Sequence, residues 1–159
     1  MVTIRLAKKE DLPILAAIYT KVYDVVRIGE KWTAKAAENM LESYLHKQPD
    51  LAFLAEWEGT IVGGFFSGIK PLYDGNHLFD GDAFIHPDYQ HKGIGKALFK
   101  RMFKEALEKY NAKTFSAFTY NGSDFPMNWY KKLGFREITK WTIFSGDIPG
   151  ALKKLDNDA

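Results

Sequence analysis

The stretch Asp82-Ala-Phe-Ile-His-Pro-Asp-Tyr-Gln-His-Lys-Gly-Ile-Gly-Lys-Ala-Leu98 is the part of the chain best suited to chemistry. A run of strand-forming residues ends at Ile85, a loop containing Pro87 follows, and a helical pattern opens at Gly93. At such a junction unpaired backbone N–H groups and the positive end of the helix dipole converge, which suits a phosphate. Gly93 and Gly95 have no Cβ, so an anion can approach the main chain and the loop can take dihedrals that other residues resist. Leu98 stands where a dinucleotide fingerprint would place its third glycine, and no Gly-Lys-Ser/Thr is present, so neither that motif nor the triphosphate loop applies. From Gly-x-Gly alone, a plain helix start whose glycines only shape a turn is equally open. Charge favours the anion. From Gln90 to Lys113 seven basic and two acidic residues give a local +5, whereas from Tyr73 to Asp88 four acidic residues and no lysine or arginine give −4. Lys92 and Lys96, at the loop, are the expected anion partners; Lys100 and Lys104 read as a solvated helix face.

The elements that must position this loop follow from periodicity. Val2 to Leu6 reads as a strand, and Glu10 to about Val26 as a helix, with apolar residues at 12, 15, 18, 22 and 25 or 26. Thr33 is an expected N-cap for a second helix burying Ala36, Ala37, Met40, Leu41, Tyr44 and Leu45. Leu51–Trp57 and Thr60–Ile69 flank Glu58-Gly59 and predict an antiparallel hairpin, and Leu78–Ile85 predicts another strand. A helix from Gly93 to about Tyr110, a strand from Lys113 to Thr119, a short helix from about Asp124 to Leu133, one or two strands within Phe135–Phe144 and a helical tail complete the chain. The order β-α-α-β-β-β-α-β-α-β(β) predicts an α/β fold whose central sheet is mixed and partly antiparallel, flanked by helices.

Composition narrows the chemistry. The 159 residues fit a single domain, and 46% hydrophobic with 26% charged residues is a globular profile. With no cysteine there is no thiolate nucleophile, disulfide or Cys-ligated metal, and no Gly-x-Ser-x-Gly elbow offers a serine nucleophile. Histidines at 46, 77, 86 and 91 show no paired metal spacing, so no metal is expected. A net charge of +2 and the lack of aromatics interleaved with the lysines argue against nucleic acid. No apolar run approaches a membrane span and no secretory h-region opens the sequence, so a cytoplasmic protein is expected, with a homodimer allowed.

Gln90-x-x-Gly93-x-Gly95 after Ile-His-Pro-Asp-Tyr, followed by Trp129-Tyr130-Lys-Lys-Leu-Gly-Phe135, closely resembles the GNAT superfamily of N-acetyltransferases, and the element order matches over about residues 2 to 144. The resemblance implies one acetyl-CoA-dependent domain. Gln90, His91, Lys92, Gly93, Ile94 and Gly95 would hold the pyrophosphate of acetyl-CoA, with Lys92 and Lys96 toward its nucleotide end. Main-chain groups around Phe84 and Ile85 would hold the pantetheine arm between two diverging strands, and Asn121 would touch it from the second strand. Asn121 departs from the pattern by lying farther from Tyr130 than is usual, with Pro126 between them. In the family, the tyrosine at the place of Tyr130 points at the coenzyme sulfur as general acid.

Acetyl transfer to an amine needs the amine neutral, the oxyanion stabilised and the thiolate accommodated. Asp82, at the end of the strand entering the loop, is the candidate base, acting through water, with Asp80 second. The segments that wall the acceptor site in the family offer Tyr23, Glu30, Trp32, Tyr73 and Asp80, an aromatic and acidic mix suited to a small cationic amine or a lysine-like group. Without a nucleophile for an acyl-enzyme, direct transfer in a ternary complex is expected. The alternative reading is an acyl-CoA-binding or sensing domain without turnover.

Overall fold

Five strands form one sheet in chain order: β1 (Val2–Leu6), β2 (Ala52–Trp57), β3 (Thr60–Leu72), β4 (Gly75–Ile85) and β5 (Thr114–Ser116). The first four are an antiparallel meander, and β5 joins β4 in parallel. This is the mixed sheet the pattern predicts. The structure, a computed structural model, describes residues 1–26, 29–120 and 124–157. It divides into two compact units, Met1–Phe118 and Thr119–Ala159. Among the described residues no helix is long and apolar enough to cross a membrane.

In the first unit, α1 (Leu12–Val26) and α2 (Ala34–Lys47) cover one sheet face and α3 (Ile94–Tyr110) packs on the other. Period-two alternation decides which residue goes where. Ala52, Leu54, Phe66 and Phe84 bury with Leu12, Leu15, Ile18, Tyr19 and Leu41 in the core under α1 and α2. Phe65, on the opposite face, meets Phe99 of α3 with ring centroids 4.3 Å apart. Thr33 caps α2 by accepting the Ala36 N–H at 3.1 Å. Glu58 and Gly59 both take positive φ, 51° and 82°, as the predicted two-residue hairpin requires.

In the second unit, α4 (Asp124–Lys132) is followed by α5 (Ile148–Asn157), the expected helical tail. Regular α4 geometry begins at Pro126, because Phe125 is extended (φ −102°, ψ 134°), as a residue before proline tends to be. The strands expected within 135–144 are not formed. That segment has strand-like composition, but a strand persists only where a neighbouring edge takes its main-chain hydrogen bonds, and the elements of this unit are helices. β5 is also shorter than the predicted Lys113–Thr119.

Candidate active site

β4 carries the site. Opposite Ser67, β4 holds two residues, Asp80 and Gly81, so the strand bulges there. Asp80 takes φ 56° and Gly81 φ 135°, and Ser67 Oγ closes the bulge by donating to the Asp80 carbonyl at 2.5 Å. Only glycine fits at 81, because a Cβ would lie 2.5 Å from Phe66 O and 2.8 Å from Ser67 Cβ. The bulge sets the direction in which Asp82 leaves the strand.

Asp82 points into an aromatic cluster under α1 and α2. The Tyr19 hydroxyl donates to Asp82 Oδ1 at 2.9 Å, and Tyr44 lies close enough to favour the ionised form of the same carboxylate. Tyr19 stacks on Tyr23 (4.6 Å between centroids) and meets Trp32 and Phe84 edge-on, each at 5.1 Å. Trp32 Nε1 donates to Glu30 at 2.6 Å. Burial, followed by the charges of Asp80 and Glu30, pushes the Asp82 carboxyl above its ordinary value despite the opposing influence of Tyr19 and Tyr44. Burial and the neighbouring Asp82 charge raise the phenols of Tyr19 and Tyr44, and burial raises that of Tyr23. All three therefore stay protonated donors at neutral pH. The structure thus brings together Asp82, Asp80, Tyr23, Glu30 and Trp32. Tyr73 does not join them. It sits at the tip of the β3–β4 hairpin, 99% exposed, roughly 20 Å along the strand from Asp82 at ~3.3 Å per residue. Its aromatic type suited the site, but its place in the turn removes it.

Sequence reasoning missed Tyr19 and Tyr44 as site residues. The available signal was Tyr19 and Tyr23 one helical turn apart on the buried face of α1, since a buried phenol hydroxyl needs a partner.

The loop begins where β4 ends. His86 N–H donates to Val62 O at 2.8 Å. By antiparallel alternation Phe84 then pairs with Gly64, and Ala83 and Ile85 turn their main-chain groups away from β3. On that side β5 pairs only as far as Phe79–Ser116, so the last residues of β4 face an opening in the sheet. Beside Ile85 it is thus Ala83, and not the expected Phe84, whose main-chain groups face that opening, while Phe84 contributes its buried ring to the core. Gln90 fastens the loop to the strand, its side-chain amide donating to Ile85 O at 3.0 Å.

His91 and Gly93 both adopt left-handed backbone (φ 60° and 79°), which folds the loop onto the start of α3. No side chain caps this helix, and Ala97 N–H is the one that reaches Gly93 O, at 3.1 Å. The N–H groups of Ile94, Gly95 and Lys96 are therefore left outside the helical ladder. A Cβ at Gly95 would lie 3.3 Å from Ile85 Cδ1, so this glycine also lets α3 sit close to β4. Lys92 rests over the rings of Tyr89 (4.9 Å) and Trp57 (5.7 Å) and makes no ion pair with a carboxylate among the described residues. An uncapped helix start, two outward-turned main-chain segments and an unneutralised lysine fit a phosphate-bearing, amide-containing ligand such as coenzyme A.

The profile of the acetyltransferase (GNAT) family matches residues 14–135, which contain most of α1, the bulged strand, the loop and α4. The chain belongs to the GNAT acetyltransferase family. An acetyltransferase of Yersinia pestis is 32% identical over 109 residues, covering 67% of this chain and 70% of that protein. The L-amino acid N-acyltransferase of Escherichia coli K12 is 30% identical over 109 residues, 67% of this chain and 63% of its own length. Among solved structures, an aminoglycoside N-acetyltransferase in complex with CoA shares the fold with a TM-score of 0.71 at 21% identity, covering 93% of this chain and 95% of that one.

Within this GNAT chain, Tyr130 belongs to the second unit. Gly134 takes φ 87° and donates to Lys131 O at 3.0 Å, while Phe135 N–H donates to Tyr130 O at 3.1 Å. This is a Schellman end to α4, and its usual apolar contact is present as the Tyr130–Phe135 ring pair at 6.1 Å. The Tyr-x-x-x-Gly-Phe segment is thus a helix stop that fixes the tyrosine. Burial pushes the Tyr130 phenol above its ordinary value. Asn121 lies outside the described residues.

Proposed function

We propose that this GNAT acetyltransferase moves the acetyl group of acetyl-CoA to the primary amine of a small cationic acceptor, directly within a ternary complex and as one domain spanning both units. The observation that carries the reading is a carboxylate of raised proton affinity, Asp82, enclosed by tyrosines on the strand that feeds the anion-binding loop. Acetyl-CoA supplies an activated thioester. The chain supplies the rest.

The acceptor must lose a proton. At a reference pKa of about 10.4, fewer than ~0.1% of such amines are neutral at pH 7, a deficit of several kcal/mol. Asp82 meets this need as a base through water, and its raised value makes it a better proton acceptor than an ordinary carboxylate. Asp80 and Glu30 add negative potential, and Tyr23 and Trp32 add ring faces, so the cluster favours a cation on arrival. Gln90, His91, Lys92, Gly93, Ile94 and Gly95 hold the pyrophosphate, Lys96 the nucleotide end, and Ala83 and Ile85 the pantetheine amides, with Asn121 assigned to the same arm by resemblance.

The family resemblance assigns Tyr130 to the departing sulfur. Ordinary phenol and thiol values of about 10 and 8.5 already make full proton transfer to a thiolate uphill by ~2 kcal/mol. Burial raises the Tyr130 phenol further, so its role is hydrogen-bond donation to developing charge on sulfur. A panel of primary amines, scored for thiol release from acetyl-CoA and for the acetylated product by mass, tests the function. Release with at least one cationic amine is expected. Saturable acetyl-CoA binding with no release across the panel would leave an acyl-CoA-binding module instead.

A further inference from the structure

Lys92 is held by two aromatic rings that no step of the proposed transfer uses. Its Nζ lies 4.9 Å from the centre of the Tyr89 ring and 5.7 Å from that of Trp57, within reach of a cation–π contact. Both rings are half-buried, whereas Lys92 is exposed. Trp57 ends β2, paired with Val2 on one side and Thr60 on the other. Tyr89 closes the turn before the loop, its N–H donating to His86 O at 2.9 Å and its ring standing edge-on to His86 at 5.7 Å. Two fixed platforms from different parts of the chain thus meet on one ammonium.

The chemistry of the holder matters. A carboxylate would position the ammonium and cancel its charge, whereas a ring face positions it and leaves the charge available. The acidic side chains of the adjoining segments are turned elsewhere: Asp88 lies 3.7 Å from His86 Nδ1, and Glu58 lies 4.0 Å from the terminal amine. The three ammonium N–H donors therefore remain for an anion. A lysine loose in water loses rotamer entropy when an anion fixes it, and one already seated loses less. Place gives the anion its identity. Lys92 directly precedes Gly93, the uncapped start of α3. By alternation Trp57 faces the side of the sheet on which α3 packs, as Phe53 does beneath Arg101 at 5.1 Å.

We infer that Trp57 and Tyr89 are positioning residues that seat Lys92 for a coenzyme phosphate, and so set the preference of the site for a phosphate-bearing thioester over one without phosphate; this rests on the acetyl-CoA reading given above. Each ring acts through the lysine and needs no contact with the coenzyme. Removing a ring leaves the helix start, the strand opening and the acceptor cluster as they are, so the loss falls on phosphate affinity alone. A ring that merely packed the loop against β2 would instead affect every thioester alike.

The test measures acetyl-CoA binding to the full chain by calorimetry, and then its displacement by S-acetylpantetheine, which keeps the thioester and both amides but carries no phosphate. Tyr89→Leu and Trp57→Leu should each weaken acetyl-CoA about two- to five-fold and leave S-acetylpantetheine unchanged, while Tyr89→Phe, which keeps the ring, should match the parent. In a Lys92→Met background, itself weakened by about five-fold or more, Tyr89→Leu should cost nothing further, because the ring acts through the lysine. Acetyl-dephospho-CoA identifies the phosphate: a weakening that persists with it assigns Lys92 to the pyrophosphate, and one that disappears assigns it to the 3′-phosphate. Unchanged acetyl-CoA affinity in Tyr89→Leu, equal weakening of acetyl-CoA and S-acetylpantetheine, or a full additional loss in the Lys92→Met background overturns the inference. Should Trp57→Leu fail to fold, Tyr89→Leu decides alone. If the parent binds acetyl-CoA and the ring variants bind it equally well, only this inference falls; if the parent binds none, the proposed function falls with it.

Discussion

Replacing Tyr19 with Phe removes one hydroxyl and little else. The ring keeps its stacking on Tyr23 and its edge contacts with Trp32 and Phe84, so the core under α1 stays filled. What is lost is the donor at 2.9 Å from Asp82 Oδ1. A hydrogen bond to a charged group is worth about 1.5–3 kcal/mol, and one pKa unit corresponds to ~1.4 kcal/mol, so complete loss would raise the carboxyl by about 1–2 units. Tyr44 still favours the ionised carboxylate, which puts the expected rise at about 1 unit. Its sign is fixed. The lost bond stabilised the ionised form, so Asp82 holds its proton to higher pH and the acidic limb of kcat/KM moves upward by that amount. Below the limb the variant should be about ten-fold slower and above it nearly equal to the parent, a pattern that general structural damage would not produce. The assay is thiol release across a pH series, with Asp82→Asn as the companion that removes the limb and slows turnover by about a hundred-fold or more. A limb that stays in place or moves down in Tyr19→Phe, or that survives Asp82→Asn, would refute Asp82 as the base.

Gly81→Ala should lower thermal stability by at least about 2 kcal/mol, because φ 135° and a Cβ 2.5 Å from Phe66 O are both unfavourable, and should depress turnover by re-aiming Asp82; a melting curve like the parent's would show the bulge to be dispensable. Asp50 is held at about 2 because hydrogen bonds from Lys109, Tyr110 and Gln48 outweigh the effect of its burial. Its depressed value adds stability above the ordinary carboxylate range that is lost as pH falls toward 2. Asp50→Asn should therefore unfold earlier by on the order of 1–2 kcal/mol at neutral pH, with the two melting curves converging in acid. Tyr130→Phe should cut turnover ten-fold or more while acetyl-CoA affinity, measured by calorimetry, stays nearly constant; equal turnover would remove the phenol from the chemistry.

What could be read from the chain alone was governed by local rules. Thr33, the Glu58-Gly59 turn and the Gly93 helix start each act within four residues of themselves, and each is found where its type predicts. The shape of the loop from Gln90 to Gly95 was legible because glycine spacing and a helix end set it locally. The cluster around Asp82 was legible only in part. Asp82, Trp32 and Tyr23 stood out by type, but the bond that links Tyr19 to Asp82 joins residues 63 positions apart, and no periodicity encodes it. Tyr73 failed for the converse reason: its aromatic character is visible in sequence, and its distance along the hairpin is not. The strands expected within 135–144 failed because strand propensity describes a half-buried pleated surface, which that segment must obtain from a neighbour.

The central claim is that main-chain amides at the start of α3 hold the pyrophosphate of acetyl-CoA. Amide hydrogen exchange at Gly93, Ile94, Gly95 and Lys96, followed with and without acetyl-CoA, addresses those atoms directly. Strong slowing at these four amides on saturation, with the exposed hairpin tip at Tyr73 unchanged, is the predicted result. Saturable acetyl-CoA binding that leaves their exchange unaltered would contradict it.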